Sequence, residues 1–416
     1  MFQITRRAAL ALSVAVLATG AAHAQQRVLK YNADYDPIPL AAMEALIADF
    51  EAANPDIDVQ LNNFDHEGYK TAIRNFLTAD APDLANWYAG NRMAPFVSAG
   101  QFMDVSDVWA ENGLADSLSA SLPSMTIDGK QWGIPYTYYQ WGIYYNRDAY
   151  AAAGVDVPGP EGVTWAQFLE NCEKFKAAGI DCITTGTKAL WPGAGIFDYL
   201  SLRTNGYDWH MQLTAGEIPW TDDSVRAVFA EFAKIQPYIT ENHAAIDWQD
   251  AAAILVQGKA AHYVMGNFAV GVFKEGGMTN DNLGFMVFPE ITPGIARAEE
   301  APTDTIHIPA GAQNVEDAKL FLAFMASPEA QTKWNAAVGQ LPTNKNASVN
   351  ADDPFLVAGF EMLSTADGGI AQFFDRDAPA EMAKVGMEGF QQFMVQPEQL
   401  DAILERLEQA RQRIYN

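Results

Sequence analysis

Residues that mark catalytic or redox proteins are scarce here. Cysteine occurs twice in 416 residues, at Cys172 and Cys182, and the two are not spaced as a Cys-x-x-Cys redox pair. Histidine occurs six times. Downstream of residue 24 the histidines are His66, His210, His243, His262 and His307, too scattered for a His-Glu-x-x-His zinc site. There is no Gly-x-Ser-x-Gly elbow, no dinucleotide fingerprint and no phosphate loop. Basic residues are outnumbered two to one, 26 Lys and Arg against 52 Asp and Glu, for a formal net charge of −26. A field of that sign argues against nucleic acid and anionic membrane surfaces as partners. Beyond residue 24 no apolar run is long enough to span a bilayer. No cofactor and no metal are expected. A secreted glycosidase needs only two carboxylates, so these absences do not exclude one.

The first 24 residues have the pattern of an export signal. Arg6 and Arg7 precede an apolar run from Ala8 to Ala18, and Ala22-His23-Ala24 is a small-x-small cleavage site, so a periplasmic protein beginning at Gln25 is expected. Thr5-Arg6-Arg7 faintly resembles a twin-arginine signal, but two arginines before an apolar run are common, and the export route stays open. Cleavage removes two arginines and no acid, which leaves a formal charge of −28. In an oxidising compartment Cys172 and Cys182 are expected to pair, tying a helix over 165–178 to a strand at 183–185.

The mature chain opens with alternating strand and helix signals. Val28 to Asn32 reads as a strand, Met43, Leu46, Ile47 and Phe50 as a helical face, and Ile57 to Leu61 as a second strand. Tyr69, Ile73, Phe76 and Leu77 give another helix, and Asp83 to Tyr88 a third strand. That order is the βαβ pattern of a parallel sheet. Ligands bind at the carboxyl ends of such strands, which makes Asp34, Asp36, Asp65, His66 and Tyr88 candidates. Further on, six of the fourteen residues from Pro135 to Asp148 are aromatic. Buried Tyr and Trp need partners for their polar tips, so this stretch reads as a cleft wall, with Tyr139 and Trp141 as contacts. Trp191, in a glycine-rich segment expected to be a loop, is a further ring facing a cleft.

Several segments, in order, resemble the extracellular sugar-binding proteins of ABC importers, the large family similar to the maltose-binding group. They are Phe50 to Val59, Ala81-Pro82-Asp83, Trp87 to Arg92, Asp128-Gly129-Lys130 with Gly133-Ile134-Pro135, Tyr144 to Asp148, Thr164-Trp165, Gly258 to Ala261, Thr305 to Gly311, Ser327 to Gln331 and Gly339 to Thr343. The resemblance implies that Asn91 and Arg92 form a polar pair against sugar hydroxyls, where related binders often carry an acidic residue before the arginine. It also implies that Asn267 and Phe268 reach the site, with Phe268 where a Trp is usual. The run from Gln372 to Asp377, with Phe374, Asp375 and Arg376, is expected to return to the cleft.

The resulting expectation is an α/β protein of the two-lobed periplasmic-binding fold, each lobe a parallel-rich sheet flanked by helices. Residues 25–138 with 303–348 would form the first lobe, and 139–302 with 349–416 the second, joined by several short crossings. It would capture a carbohydrate ligand, an oligosaccharide or glycoside in preference to a lone monosaccharide. As a monomer it would deliver the ligand to the membrane permease of an ABC importer. The alternative is a transport protein for a polyamine or other cation, since aromatic rings also hold cations; a secreted glycosidase is the less favoured third.

Overall fold

The computed structural model describes residues 26–159 and 162–415, so the export signal and its cleavage point lie outside the described residues. Strand Arg27–Ala33 buries Leu29, Tyr31 and Ala33 on one face. Helix Pro37–Ala53 follows, with proline in its first turn where a missing N–H costs nothing. It turns Met43, Leu46, Ile47 and Phe50 into the core. Helix His66–Ala79 is started by Asp65, whose carboxylate accepts the Gly68 N–H at 2.8 Å. These elements build a five-stranded sheet in the order Ile57–Asn63, Arg27–Ala33, Leu84–Tyr88, Thr303–His307, Ile134–Tyr138. The first two pairings are parallel, and Thr303–His307 runs antiparallel to both of its neighbours.

A second, four-stranded sheet has the order Leu283–Met286, Trp141–Asn146, Ala260–Gly266, Asp181–Thr184. Only its last pairing is parallel. Each sheet has its own apolar core. The chain passes from one to the other through Tyr139 and Gln140, which separate Ile134–Tyr138 from Trp141–Asn146. The architecture is α/β and two-lobed.

Two local expectations are revised. The aromatic stretch is mostly core rather than cleft wall: Tyr136, Tyr144 and Tyr145 are buried in the apolar cores of their sheets. The polar tips are satisfied internally, Tyr136 donating to Asn86 at 3.2 Å and Tyr144 to Asn267 at 2.8 Å. The segment 190–195 is not a loop, because helix Trp191–Thr204 begins there. Its glycine at 195 serves close packing, since a Cβ would lie 2.3 Å from the Trp141 ring. The span 292–303 contains a short strand, Ala298–Glu300, paired in parallel with Gly369–Ala371.

Cys172 and Cys182 form a disulfide that joins helix Trp165–Ala177 to strand Asp181–Thr184. The helix is independently fixed by a capping box, Gln167 N–H to Thr164 Oγ1 and Thr164 N–H to Gln167 Oε1. Replacing both cysteines by serine should cost about 2–4 kcal/mol of stability without unfolding the lobe. Denaturant melts of both forms check this; equal midpoints would show that the staple contributes nothing.

Candidate functional site

The carboxyl ends of the parallel strands present a charged wall. Asp34 follows strand Arg27–Ala33 and is buried. Its Oδ1 accepts from Asn86 Nδ2 at 3.0 Å, and its Oδ2 lies 2.9 Å from His66 Nδ1. Burial opposes ionisation of both groups, but the hydrogen bond and charge of each outweigh it. Asp34 is therefore held below the usual carboxylate range and His66 above the usual imidazole value. Asp36, at the start of helix Pro37–Ala53, makes no capping bond and is exposed, and Asp65 is exposed beside it. On the same helix as His66, Lys70 reaches Asp375 of the other lobe at 3.6 Å. Burial disfavours the Asp375 charge, yet Lys70, Arg92 and Arg376 hold its carboxyl below the ordinary range.

Arg376 joins the walls. It is buried, with its guanidinium 4.1 Å from the Tyr88 ring centre. One amino group donates to Thr303 O at 3.0 Å; the other donates to Tyr139 OH at 2.9 Å and Asp304 Oδ1 at 3.0 Å. Tyr139 lies on one chain crossing, and Thr303 and Asp304 open the return strand. The lobes also touch at Asn91, whose amide donates to Asp377 O at 2.6 Å. A further contact places Gly271 against the Ile38 side chain.

The second wall is aromatic. Trp191, Trp248 and Phe268 are partly exposed and cluster edge to face, Trp248 to Phe268 at 5.3 Å and Trp191 to Phe268 at 6.1 Å between ring centres. Trp141 is buried behind them, 6.0 Å from Trp191. Tyr139 meets Phe268 edge-on at 5.2 Å, which brings the aromatic wall to the arginine.

Contacts link Asp34, His66, Tyr88, Asn91, Tyr139, Trp191, Phe268, Asp375 and Arg376 into one set between the two sheets, with Arg92 in the field of Asp375 and Asp36 and Asp65 exposed near His66 and Asp34. Three expected contacts lie elsewhere. Phe374 turns into the core, 5.0 Å from Phe390. Trp141 backs the aromatic wall. Asn267 is buried, accepting from Tyr144 and donating to Gly339 O, so it shapes the loop. Sequence reasoning missed Lys70, Asp304 and Trp248. Trp248 had a signal, a large ring directly after the helix-starting Asp247, where a core residue is not required. Lys70 and Asp304 had none, because their partners come from distant segments. Among the described residues, no grouping of His, Cys, Asp and Glu could hold a metal ion.

The site offers hydrogen-bonding groups on one side and flat rings on the other. That is a two-lobed receptor for a small solute. The chain matches the family of bacterial extracellular solute-binding proteins over residues 36–332, and it belongs to that family. It is 27% identical over 333 residues to an ABC transporter extracellular-binding protein of Pyrococcus horikoshii, covering 78% of this chain and 74% of that one. A multiple sugar-binding protein of Streptococcus mutans is 22% identical over 325 residues, 76% of this chain and 74% of that one. Among solved structures, the bacterial solute receptor AcbH, described as having an exclusive preference for β-D-galactopyranose, superposes with a TM-score of 0.86. It is 26% identical, over 94% of this chain and 100% of that one. The protein RafE in complex with raffinose superposes with a TM-score of 0.74 at 18% identity, over 94% of this chain and 100% of that one.

The raised His66 value carries a pH signature. His66 contributes its full stabilisation below about pH 6.5, the ordinary imidazole value, and loses it as pH rises through the folded value. Asp34 contributes above its ordinary value and loses it only as pH falls through the lowered one. Imidazole NMR titration should place the His66 midpoint above 6.5, and Asp34→Asn should bring it down. His243, His262 and His307, pushed by burial to about 4, should stay neutral at neutral pH. An unshifted His66 midpoint in the wild type would remove the ion pair from the account.

Proposed function

We propose that the protein is the substrate-binding component of an ABC sugar importer and captures its ligand between the two walls. The carrying observation is the pairing of exposed Asp36 and Asp65, beside the Asp34–His66 pair, with the Trp191–Trp248–Phe268 cluster opposite. Ionised carboxylates accept from sugar hydroxyls, charged hydrogen bonds being worth about 1.5–3 kcal/mol net. Flat rings cover the apolar faces of a pyranose. The sugar-binding relative and the galactopyranose receptor support this reading.

A polyamine or other cation is less well served. Three of the carboxylates at this site are already paired internally, Asp34 with His66, Asp375 with Lys70 and Asp304 with Arg376. A cationic ligand would have to break those pairs or rely on the exposed Asp36 and Asp65. The glycosidase reading loses its ground with family membership, since the family is one of solute receptors.

In this reading residues 25–138 with 303–348 move as one lobe and 139–302 with 349–416 as the other. The protein acts as a periplasmic monomer after cleavage before Gln25, and hands the sugar to a membrane permease. Among the described residues no helix is long and apolar enough to cross a membrane.

A thermal-shift series over D-galactose, raffinose, stachyose, acarbose and spermidine tests the class, because a ligand that binds the native state raises its melting point by mass action. A sugar should stabilise and spermidine should not; the reverse would establish the cation reading. Trp191→Ala should weaken the stabilising sugar by about tenfold or more, the sum of lost burial and ring contact. Calorimetric titration measures it, and unchanged affinity in a folded variant would remove Trp191 from the site.

A further inference from the structure

Two acidic side chains deep in the second lobe are unaccounted for by the cleft. Glu300, on strand Ala298–Glu300, and Asp198, on helix Trp191–Thr204, are fully buried. Among the described residues no N–H or hydroxyl donor reaches either oxygen of Glu300 or Oδ1 of Asp198. What remains to these oxygens is each other, side chain to side chain, and a bond between them needs one of the two to donate. Two carboxylates are acceptors only, so this bond exists only if the pair holds a proton.

The surroundings are charged on every side. On helix Tyr207–Thr214, buried His210 places Nε2 3.3 Å from Asp377 Oδ2, while its Nδ1 lies 3.9 Å from Asp198 Oδ1, beyond hydrogen-bond reach. Tyr207 on that helix lies within the field of Asp377. Glu299, next to Glu300, is neutralised separately by Arg203 at 2.8 Å and Arg297 at 3.3 Å, and accepts from Tyr199 OH at 3.1 Å.

The far side of this cluster holds a loop. Asp198 Oδ2 accepts the Phe374 N–H at 2.8 Å, and Asp377 Oδ2 accepts the Gln372 N–H at 3.0 Å. Between these anchors Phe373 has φ +118°, a backbone conformation strained for a residue with a side chain. The strained turn lays the Phe373 ring 4.8 Å from Trp141 and leads directly into Asp375 and Arg376, which face the other lobe.

We propose that Asp198, Glu300, His210 and Asp377 are positioning residues that hold the 372–377 turn in the shape that presents Asp375 and Arg376 to the ligand, and that they do so only while Asp198 and Glu300 share a proton. The functional part of this inference rests on the cleft being the ligand site; the structural part does not.

Burial holds both carboxyl groups above the ordinary range, and their mutual repulsion adds to this for Glu300. At His210 burial opposes the charge, but Asp377 and Asp198 outweigh it and raise its value. The folded protein therefore binds these protons more tightly than the unfolded chain. The cluster's contribution is complete at low pH and declines as pH rises through the folded values.

Hydrogen exchange of the Gln372 and Phe374 amides in the ligand-free protein, corrected for intrinsic rates, reads the turn directly. Protection should fall by about tenfold or more in a pH series rising from the Asp198 value of about 6, one proton-linked unit being a factor of ten. Glu300→Gln keeps a donor to Asp198 and removes the proton the pair shares, so its protection should fall clearly less, leaving only the decline due to His210. Infrared difference spectra should show a protonated carboxyl in the wild type that the variant lacks. Level protection in the wild type, the same decline in Glu300→Gln, or no protonated carboxyl would each overturn the proposal. If Glu300→Gln does not fold, the wild-type pH series decides alone. Failure of every sugar in the thermal-shift series to bind would overturn the sugar reading and leave this test standing.

Discussion

A buried guanidinium sets the relation between the two lobes. Arg376 gives up hydration on entering the protein, and a charge so placed must find its full complement of partners. It finds them in three different segments, the ring of Tyr88 at the end of a first-sheet strand, Tyr139 on one crossing, and Thr303 with Asp304 on the return strand. Removing any one leaves a partly unpaired charge inside. That makes the 372–377 turn the joint at which a second-lobe loop, a first-lobe strand end and two crossings meet.

Around that joint the walls divide the chemistry. The first lobe contributes groups ordered by hydrogen bonds, with Asn86 and His66 both committed to Asp34. The second contributes rings packed onto glycines, Gly195 and Gly266 allowing Trp141 and Phe268 to sit against the backbone. Neither wall can both accept hydroxyls and cover a sugar face. A ligand that touches both therefore favours the closed form, and only such differential affinity shifts the population between forms. Moving it from 1:99 to 99:1 needs about 5.5 kcal/mol, within reach of a few charged hydrogen bonds and one or two stacked rings.

Much of this was legible in the sequence because local rules and global fold agree. Asp65, Thr164, Asp222 and Ser327 each stand at a helix start and each side chain caps it. The βαβ alternation located the charged wall, since Asp34 and His66 follow strands that run parallel. What stayed hidden depended on distance along the chain. Lys70 and Asp375 are 305 residues apart in number and meet only through the fold. The glycines around Trp191 looked like a loop because sequence does not distinguish a flexible glycine from one that lets a ring approach. The strand Ala298–Glu300 was invisible because two of its three residues are acidic and its partner, Gly369–Ala371, is equally short.

The central claim is that the ligand is held by both lobes and draws them together about the Arg376 joint. Small-angle scattering, with and without the sugar that stabilises the protein most, measures this directly. The account predicts a smaller radius of gyration at saturation. An unchanged radius in a sample that calorimetry shows to be fully occupied would contradict it.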